Sequence, residues 1–156
     1  MLRNILDFGN YTTEIYKLGA NDLKRGTVVA KDLATATADK ASVKGTDVYL
    51  LDFDFQPTGA LADVDVSAYS DEADIVKKGT YAILVKYNLG CQFAIDQVDT
   101  TVAIVAGDML MAGTGATAGK LVKAVATNVT SLRYNGIYLD GSKTLYIVEI
   151  VEAKTV

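Results

Sequence analysis

The chain has 156 residues, enough for one domain with a substantial core, and its 19 acidic and 15 basic residues leave a formal net charge of −4. This balance disfavours nucleic acid as the main partner, because nucleic-acid binding depends on a surface that neutralises phosphates. With no histidine and one cysteine, the chain lacks the usual general base near neutral pH, an internal disulfide and a multi-cysteine zinc site.

The apolar runs of the chain are only a few residues long, well short of the roughly 20 needed to cross a bilayer. We therefore expect no membrane partner. The first residues include Arg3 and the early acid Asp7 where a secretory signal has an uninterrupted apolar segment, so we also expect no export.

Large apolar side chains recur through residues 1–18 without a sustained helical period. One interpretation is an N-terminal arm that docks on a partner or a neighbouring subunit, followed by a single β domain over residues 19–156. The other is that the segment supplies the first strand of the core. The side chains of an arm would be its binding anchors, because aliphatic and aromatic groups provide most of the energy of an interface. The predicted anchors are Ile5, Leu6, Phe8, Tyr11, Ile15 and Tyr16.

Glycine-punctuated apolar segments follow, and this rhythm is typical of strands joined by turns. Residues 26–33 predict a first hairpin. Residues 34–44 are small and polar, which predicts a loop or a weakly held strand pair. Residues 47–55 predict a strand because apolar and polar side chains roughly alternate, and a turn at residues 57–59 ends it.

Seven acids and no base lie between residues 52 and 74, so this segment is expected to be solvated. Within it, residues 60–69 predict a strand and residues 70–78 predict a single helical turn that begins at a serine cap. The pairs Asp52/Asp54 and Asp63/Asp65 would each place two carboxylates about 7 Å apart on one strand face, which raises a calcium hypothesis. The spacing lacks the glycine and the distal glutamate of the well-known calcium loop, and a charged edge that discourages aggregation explains the same acids. We therefore predict no metal site.

The second half of the chain continues the strand pattern. Residues 79–95 predict two strands around a turn at residues 88–90, and residues 107–124 predict a strand, a glycine-rich turn and a second strand. Asn135-Gly136 and Asp140-Gly141 are hairpin dipeptides if strands flank them. Residues 144–151 predict a further strand. The predicted class is therefore mainly β: a compact barrel or sandwich of short antiparallel strands with an N-terminal arm.

No catalytic motif stands out. Paired carboxylates in a solvated run lack the buried partner that acid–base work requires. Cys91 is expected to be a small buried apolar residue and not a nucleophile. The segment GTGATAGK at residues 113–120 echoes a phosphate loop, but Lys120 is followed by a leucine and a predicted strand, so the match fails. We expect no enzymatic activity, no catalytic residue and no cofactor.

Three motifs together resemble the head decoration, or cement, proteins of tailed bacteriophages. They are LKRGTVVA at residues 23–30, AGDML at residues 106–110, and YLDG at residues 138–141 with the strand that follows it to residue 150. The resemblance implies a non-enzymatic virion protein, assembled in the host cytoplasm, that binds the major capsid protein on the outer surface of the capsid and stabilises the shell. It also implies self-association, often as a homotrimer at three-fold positions.

Two alternatives stay open. The chain could be another phage structural subunit, of the tail tube or of head completion. The segment TADKA at residues 37–41 also resembles the turn that presents the modified lysine of lipoyl and biotinyl carrier domains, which would make Lys40 the attachment point.

Overall fold

The computed structural model of the chain describes residues 1–6, 10–42, 48–52 and 75–156, and its regular structure within these ranges is β-strand with one short 3-10 turn. The predicted mainly-β class is confirmed. The strands of the first half are β1 (Leu2–Leu6), β2 (Tyr11–Leu18), β3 (Leu23–Lys24), β4 (Val28–Asp32), β5 (Thr37–Lys40) and β6 (Tyr49–Asp52). Those of the second half are β7 (Ile75–Val76), β8 (Tyr81–Tyr87), β9 (Gln92–Ile95), β10 (Met109–Ala112), β11 (Leu121–Lys123), β12 (Val129–Asp140) and β13 (Lys143–Thr155).

Five strands close into a barrel in the order β2, β5, β4, β6 and β8. Its pairs are antiparallel except for β2 with β5, which run parallel where Lys17 lies opposite Thr37. Apolar side chains fill the interior because alternate residues of each strand point inward. The buried interior cluster consists of Leu18, Leu23, Val29, Ala38, Leu51, Val76, Ala82 and Leu84.

A six-stranded antiparallel sheet, in the order β1, β9, β13, β12, β10 and β11, packs against the outside of the barrel. The barrel strand β8 is buried on both faces for this reason, with Leu84 in the barrel interior and Val85 in the shared cluster. The ring of Tyr87 from β8 stacks on that of Phe93 from β9 with centroids 4.9 Å apart. Barrel and sheet therefore share one core.

The first segment of the chain contributes to both layers: residues 1–6 to the six-stranded sheet and residues 10–18 to the barrel. β1 is an edge strand of the six-stranded sheet, with Leu2 opposite Ile95. β2 pairs with β8 over seven positions and closes the barrel. Leu2 and Leu18 are almost fully buried, so the described part of the segment supplies strands to the core, which was the second interpretation of its apolar residues.

The start of β1 is held by a half-buried polar cluster around Asp96. The Met1 ammonium donates to the carbonyl oxygen of Arg25 at 2.6 Å and to the Asp96 carboxylate at 2.7 Å, and Lys24 donates to the other carboxylate oxygen at 2.6 Å. Gly26 is required beside this cluster, because its φ is +88° and an added Cβ would lie 2.6 Å from the Met1 carbonyl oxygen.

Several predicted elements of the first half can be compared with the structure. Residues 26–33, predicted as a hairpin, contain one strand, β4, and its partner β5 lies in residues 34–44, which were predicted as a loop or a weakly held strand pair. The strand predicted over residues 47–55 is confirmed in its described part as β6. The helical turn predicted over residues 70–78 is wrong at its described end, where Ile75–Val76 form β7 and pair with β3. The strand predicted over residues 60–69 lies outside the described residues.

In the second half, the predicted strand, turn and strand of residues 107–124 are confirmed as β10, the 3-10 turn Gly115–Thr117 and β11. The hairpin predicted at Asn135-Gly136 is wrong. These residues lie inside β12 at a β-bulge between Tyr134 and Gly136, and the chain reverses instead at Gly141-Ser142. Gly141 has a φ of +60° at the first position of this two-residue turn, which is where tight hairpins require glycine.

Candidate binding surface

The strand β2 carries large apolar side chains on its outer face. Tyr16 and Leu18 point toward the barrel interior, so by strand alternation Tyr11 and Ile15 point outward. Ile15 is 71% exposed and Tyr11 is 40% exposed. The structure therefore brings two of the six predicted anchors onto one outward face.

The neighbouring strand β8 extends this surface. Ile83 lies directly opposite Ile15, and Tyr81, which is 67% exposed, lies opposite Lys17. Diagonal neighbours across a strand pair are within reach of aromatic side chains, so Tyr81 and Ile15 belong to one patch. We call Tyr11, Ile15, Tyr81 and Ile83 the β2–β8 face.

Sequence reasoning missed the β8 half of this face. The alternation in YAILVKY places Tyr81, Ile83 and Val85 on one side of the strand, and this signal was present in the sequence. The same side is covered by the six-stranded sheet at Val85 and uncovered at Tyr81. How far the six-stranded sheet extends over β8 depends on the packing of barrel and sheet. A local sequence pattern does not contain this information.

Tyr16 lies on the opposite side of β2 and packs against the cluster in the barrel interior. The Lys31 ammonium there sits 4.3 Å from the ring centroid of Tyr49 and 5.6 Å from that of Tyr16, and it donates to the Glu14 carboxylate at 2.9 Å. Hydrogen bonding with Tyr49 and Glu14 raises the pKa of Lys31 above its ordinary value, so the ammonium stays charged. Tyr16 therefore contacts a cation inside the barrel and does not share a surface with Ile15.

The remaining predicted anchors are separate from the β2–β8 face. Ile5 is half-buried on the sheet and packs against Met1, Ala94 and Leu145. Leu6 is 38% exposed at the end of β1. Phe8 lies outside the described residues, and a binding role for any of the six stays a prediction.

Other candidate groups have structural partners. Cys91 is buried, as predicted, and its thiol donates to the carbonyl oxygen of Asn10 at 3.0 Å. Asp52, one of the acids considered for calcium, accepts a hydrogen bond from Arg25 Nε at 2.5 Å. Lys40 lies at the end of strand β5, opposite Val29, and not at the β4–β5 turn.

Within the described ranges, no three histidine, cysteine, aspartate or glutamate residues are grouped so that they could hold a metal ion. The other acids of the calcium hypothesis, Asp54, Asp63 and Asp65, lie outside those ranges. The same part of the chain contains no helix with the length and apolar character required to cross a bilayer.

Comparison of the chain with protein-family models, with curated protein sequences and with solved structures found no match.

Proposed function

We propose that this chain is a structural subunit of a tailed-bacteriophage head, which binds the major capsid protein on the outer surface of the assembled capsid and stabilises the shell. The observation that carries the proposal is the β2–β8 face, where Ile15 and Tyr81 are 71% and 67% exposed on regular, paired strands. The motifs shared with head decoration proteins support the same role.

The backbone under this face is held in place before any partner binds. β2 and β8 pair from Tyr11 opposite Tyr87 to Lys17 opposite Tyr81, and Val85 and Tyr87 continue into the buried core. A surface that is already ordered loses little conformational entropy on docking, so more of the apolar contact energy appears as affinity.

The chemistry of the face indicates what it contacts on the capsid. Its centre is aliphatic and aromatic, and Lys17 lies at its end beside Tyr81. A capsid surface with an apolar centre and a carboxylate at its rim complements this arrangement. Each contact is small, and the many copies on one shell, in a trimer at each three-fold position, provide avidity.

The test compares the wild-type chain with Ile15→Lys for binding to expanded, DNA-free heads, measured by co-sedimentation and by electron microscopy. A lysine at the centre of the face removes its largest exposed aliphatic group, and a loss of affinity of about 30-fold is expected for an interface hot spot. The matched control is Leu33→Lys, because Leu33 is 77% exposed and follows β4, which β5 separates from β2 in the barrel.

The proposal is contradicted if the wild-type chain fails to bind such heads, or if Ile15→Lys binds as tightly as Leu33→Lys. Rings formed by the isolated chain in the absence of heads would favour a tail-tube or head-completion subunit. A covalent mass increase on Lys40 in the host would favour a carrier domain.

A further inference from the structure

The end of the β12–β13 ribbon contacts residues at β1 and β9 of the six-stranded sheet. Beyond the bulge at Gly136, Leu145 is fully buried against Met1 and Ala94, and Asp140 at the tip accepts a hydrogen bond from Arg3 Nε at 2.7 Å. These contacts fix the position of the tip relative to β1 and β9. The outer strand of the tip is therefore an ordered edge.

This edge is open in the described part of the chain. β10 pairs with β12 only at Leu132 and Arg133, and Tyr134 then exchanges backbone hydrogen bonds of 2.8 Å with Gly107 and Asp108. Past Tyr134, the described strands include none that lies alongside β12 on that side. Four residues of β12 are exposed there, the polar Asn135 at the bulge and three large apolar residues beyond it: Ile137 at 56%, Tyr138 at 40% and Leu139 at 66%.

The hairpin register determines which backbone groups face outward. Asp140 lies opposite Lys143 across the two-residue turn, and such a closing pair bonds inward. Because opposite residues alternate between bonded and non-bonded pairs, the N–H and C=O groups of Ile137 and Leu139 point away from β13. The bulge adds one residue to β12 and so shifts this alternation by one position. For this reason the backbone N–H and C=O groups of Tyr134, before the bulge, also point away from β13.

We propose that this edge pairs with the same edge of a second copy of the chain, antiparallel about a two-fold axis at Tyr138. In that register Ile137 lies opposite Leu139 of the other copy, so the outward backbone groups of each strand meet those of its partner. The side chains of Ile137 and Leu139 share one face and form an apolar cluster across the axis. The edge is thus complementary to its own reverse, so a second copy of the chain would satisfy its outward backbone groups and cover its apolar side chains together.

An isologous contact of this kind closes with two copies and is distinct from the three-fold arrangement that the resemblance implies. The strip is short and buries far less than the roughly 1,200 Å² of a stable interface. Pairing is therefore weak in dilute solution and becomes effective where copies are concentrated. It does not depend on shell binding.

The test is cross-linking of the isolated full-length chain carrying Tyr138→Cys under oxidising conditions. At the axis the two residues form a non-bonded pair with Cα atoms about 4.5 Å apart, within the range of a disulfide. The matched control is Thr144→Cys, which is exposed on the same tip but away from the axis, and Cys91 is buried in both variants. We expect Tyr138→Cys to form a disulfide-linked dimer faster than Thr144→Cys, at a rate that rises with protein concentration.

Adding Leu139→Pro to Tyr138→Cys removes an outward N–H without breaking the β12–β13 ladder, and we expect it to slow cross-linking to the rate of Thr144→Cys. Equal rates for Tyr138→Cys and Thr144→Cys would overturn the proposal, whether or not the proline variant folds. Since no heads are present, this result is independent of the capsid-binding test.

Discussion

At the scale of single residues, Asp96 joins parts of the chain that are far apart in sequence. Its carboxylate accepts hydrogen bonds from the Met1 ammonium, from Lys24 and from the Gln97 amide. Burial acts to raise the pKa of Asp96, but the donors, Lys24 foremost, outweigh it and hold the pKa below its ordinary value. The charged form is therefore the one that stabilises the fold.

We expect Asp96→Asn to reduce the free energy of unfolding by about 1–3 kcal/mol at neutral pH, because the amide loses the charge and part of the hydrogen bonding. Lys24 is 42% exposed, so solvent screening weakens its contribution to this stabilisation. The folded-state pKa lies below the ordinary value of about 3.9, so the stabilisation is complete above that value and is lost as the pH falls through the folded-state pKa. Urea unfolding at several pH values measures this.

The control for Asp96→Asn is Glu152→Gln, which removes one exposed carboxylate from β13 and is expected to change stability by less than about 0.5 kcal/mol. The difference in the free energy of unfolding between the wild type and Asp96→Asn should become smaller in acid. Equal free energies of unfolding at neutral pH, or a difference that stays the same in acid, would contradict the role given to Asp96.

At the scale of strands, local patterns predicted many of the extended segments but neither every turn nor which strands pair. Residues 79–95 contain the two expected strands around Gly90, yet β8 belongs to the barrel and β9 to the six-stranded sheet. A turn signal predicts a chain reversal, whereas pairing partners are chosen by long-range packing. At Asn135-Gly136 a strong hairpin dipeptide was overridden because the flanking residues continue the pairing with β13 through a bulge.

The candidate site shows the same limit at the scale of one strand. The apolar residues of 1–18 were recognised, but as a single set of anchors. Pairing with β8 sends Ile15 outward and Tyr16 inward, because neighbouring side chains of a strand point to opposite faces. The exposed Ile15 can be distinguished from the inward-facing Tyr16 only when the strand and its pairing are known.

Because β2 closes the barrel, we expect deletion of residues 1–18 to abolish cooperative thermal unfolding of the chain. The deletion removes the buried Leu18 and leaves β5 and β8 as open edges that favour aggregation. Ile15→Lys is the matched comparison, since it alters the outer face and leaves the strand, and its melting transition should stay close to that of the wild type. A deletion variant that melts cooperatively near the wild-type temperature would show that β2 is dispensable for the fold.

At the scale of the whole molecule, barrel and sheet depend on the same buried cluster. Val28 and Leu50 of the barrel lie in it together with Phe93, Leu110 and Val148 of the sheet. The β2–β8 face and the outer edge of β12 are therefore carried by one packed body. Loss of packing at the centre of the cluster should weaken both layers together.

Phe93 tests this coupling, because it is 1% exposed in the sheet and stacks on Tyr87 of the barrel. We expect Phe93→Ala to lower the free energy of unfolding by about 3–5 kcal/mol, through lost apolar contact and the cavity left behind. Native-state hydrogen exchange should show the same loss of protection for the most protected amides of β4 in the barrel and β13 in the sheet, since both then exchange through global unfolding. Leu33→Ala, at a side chain that is 77% exposed, should leave both sets unchanged. Protection lost from β13 while that of β4 is retained would mean that the barrel is stable without the sheet.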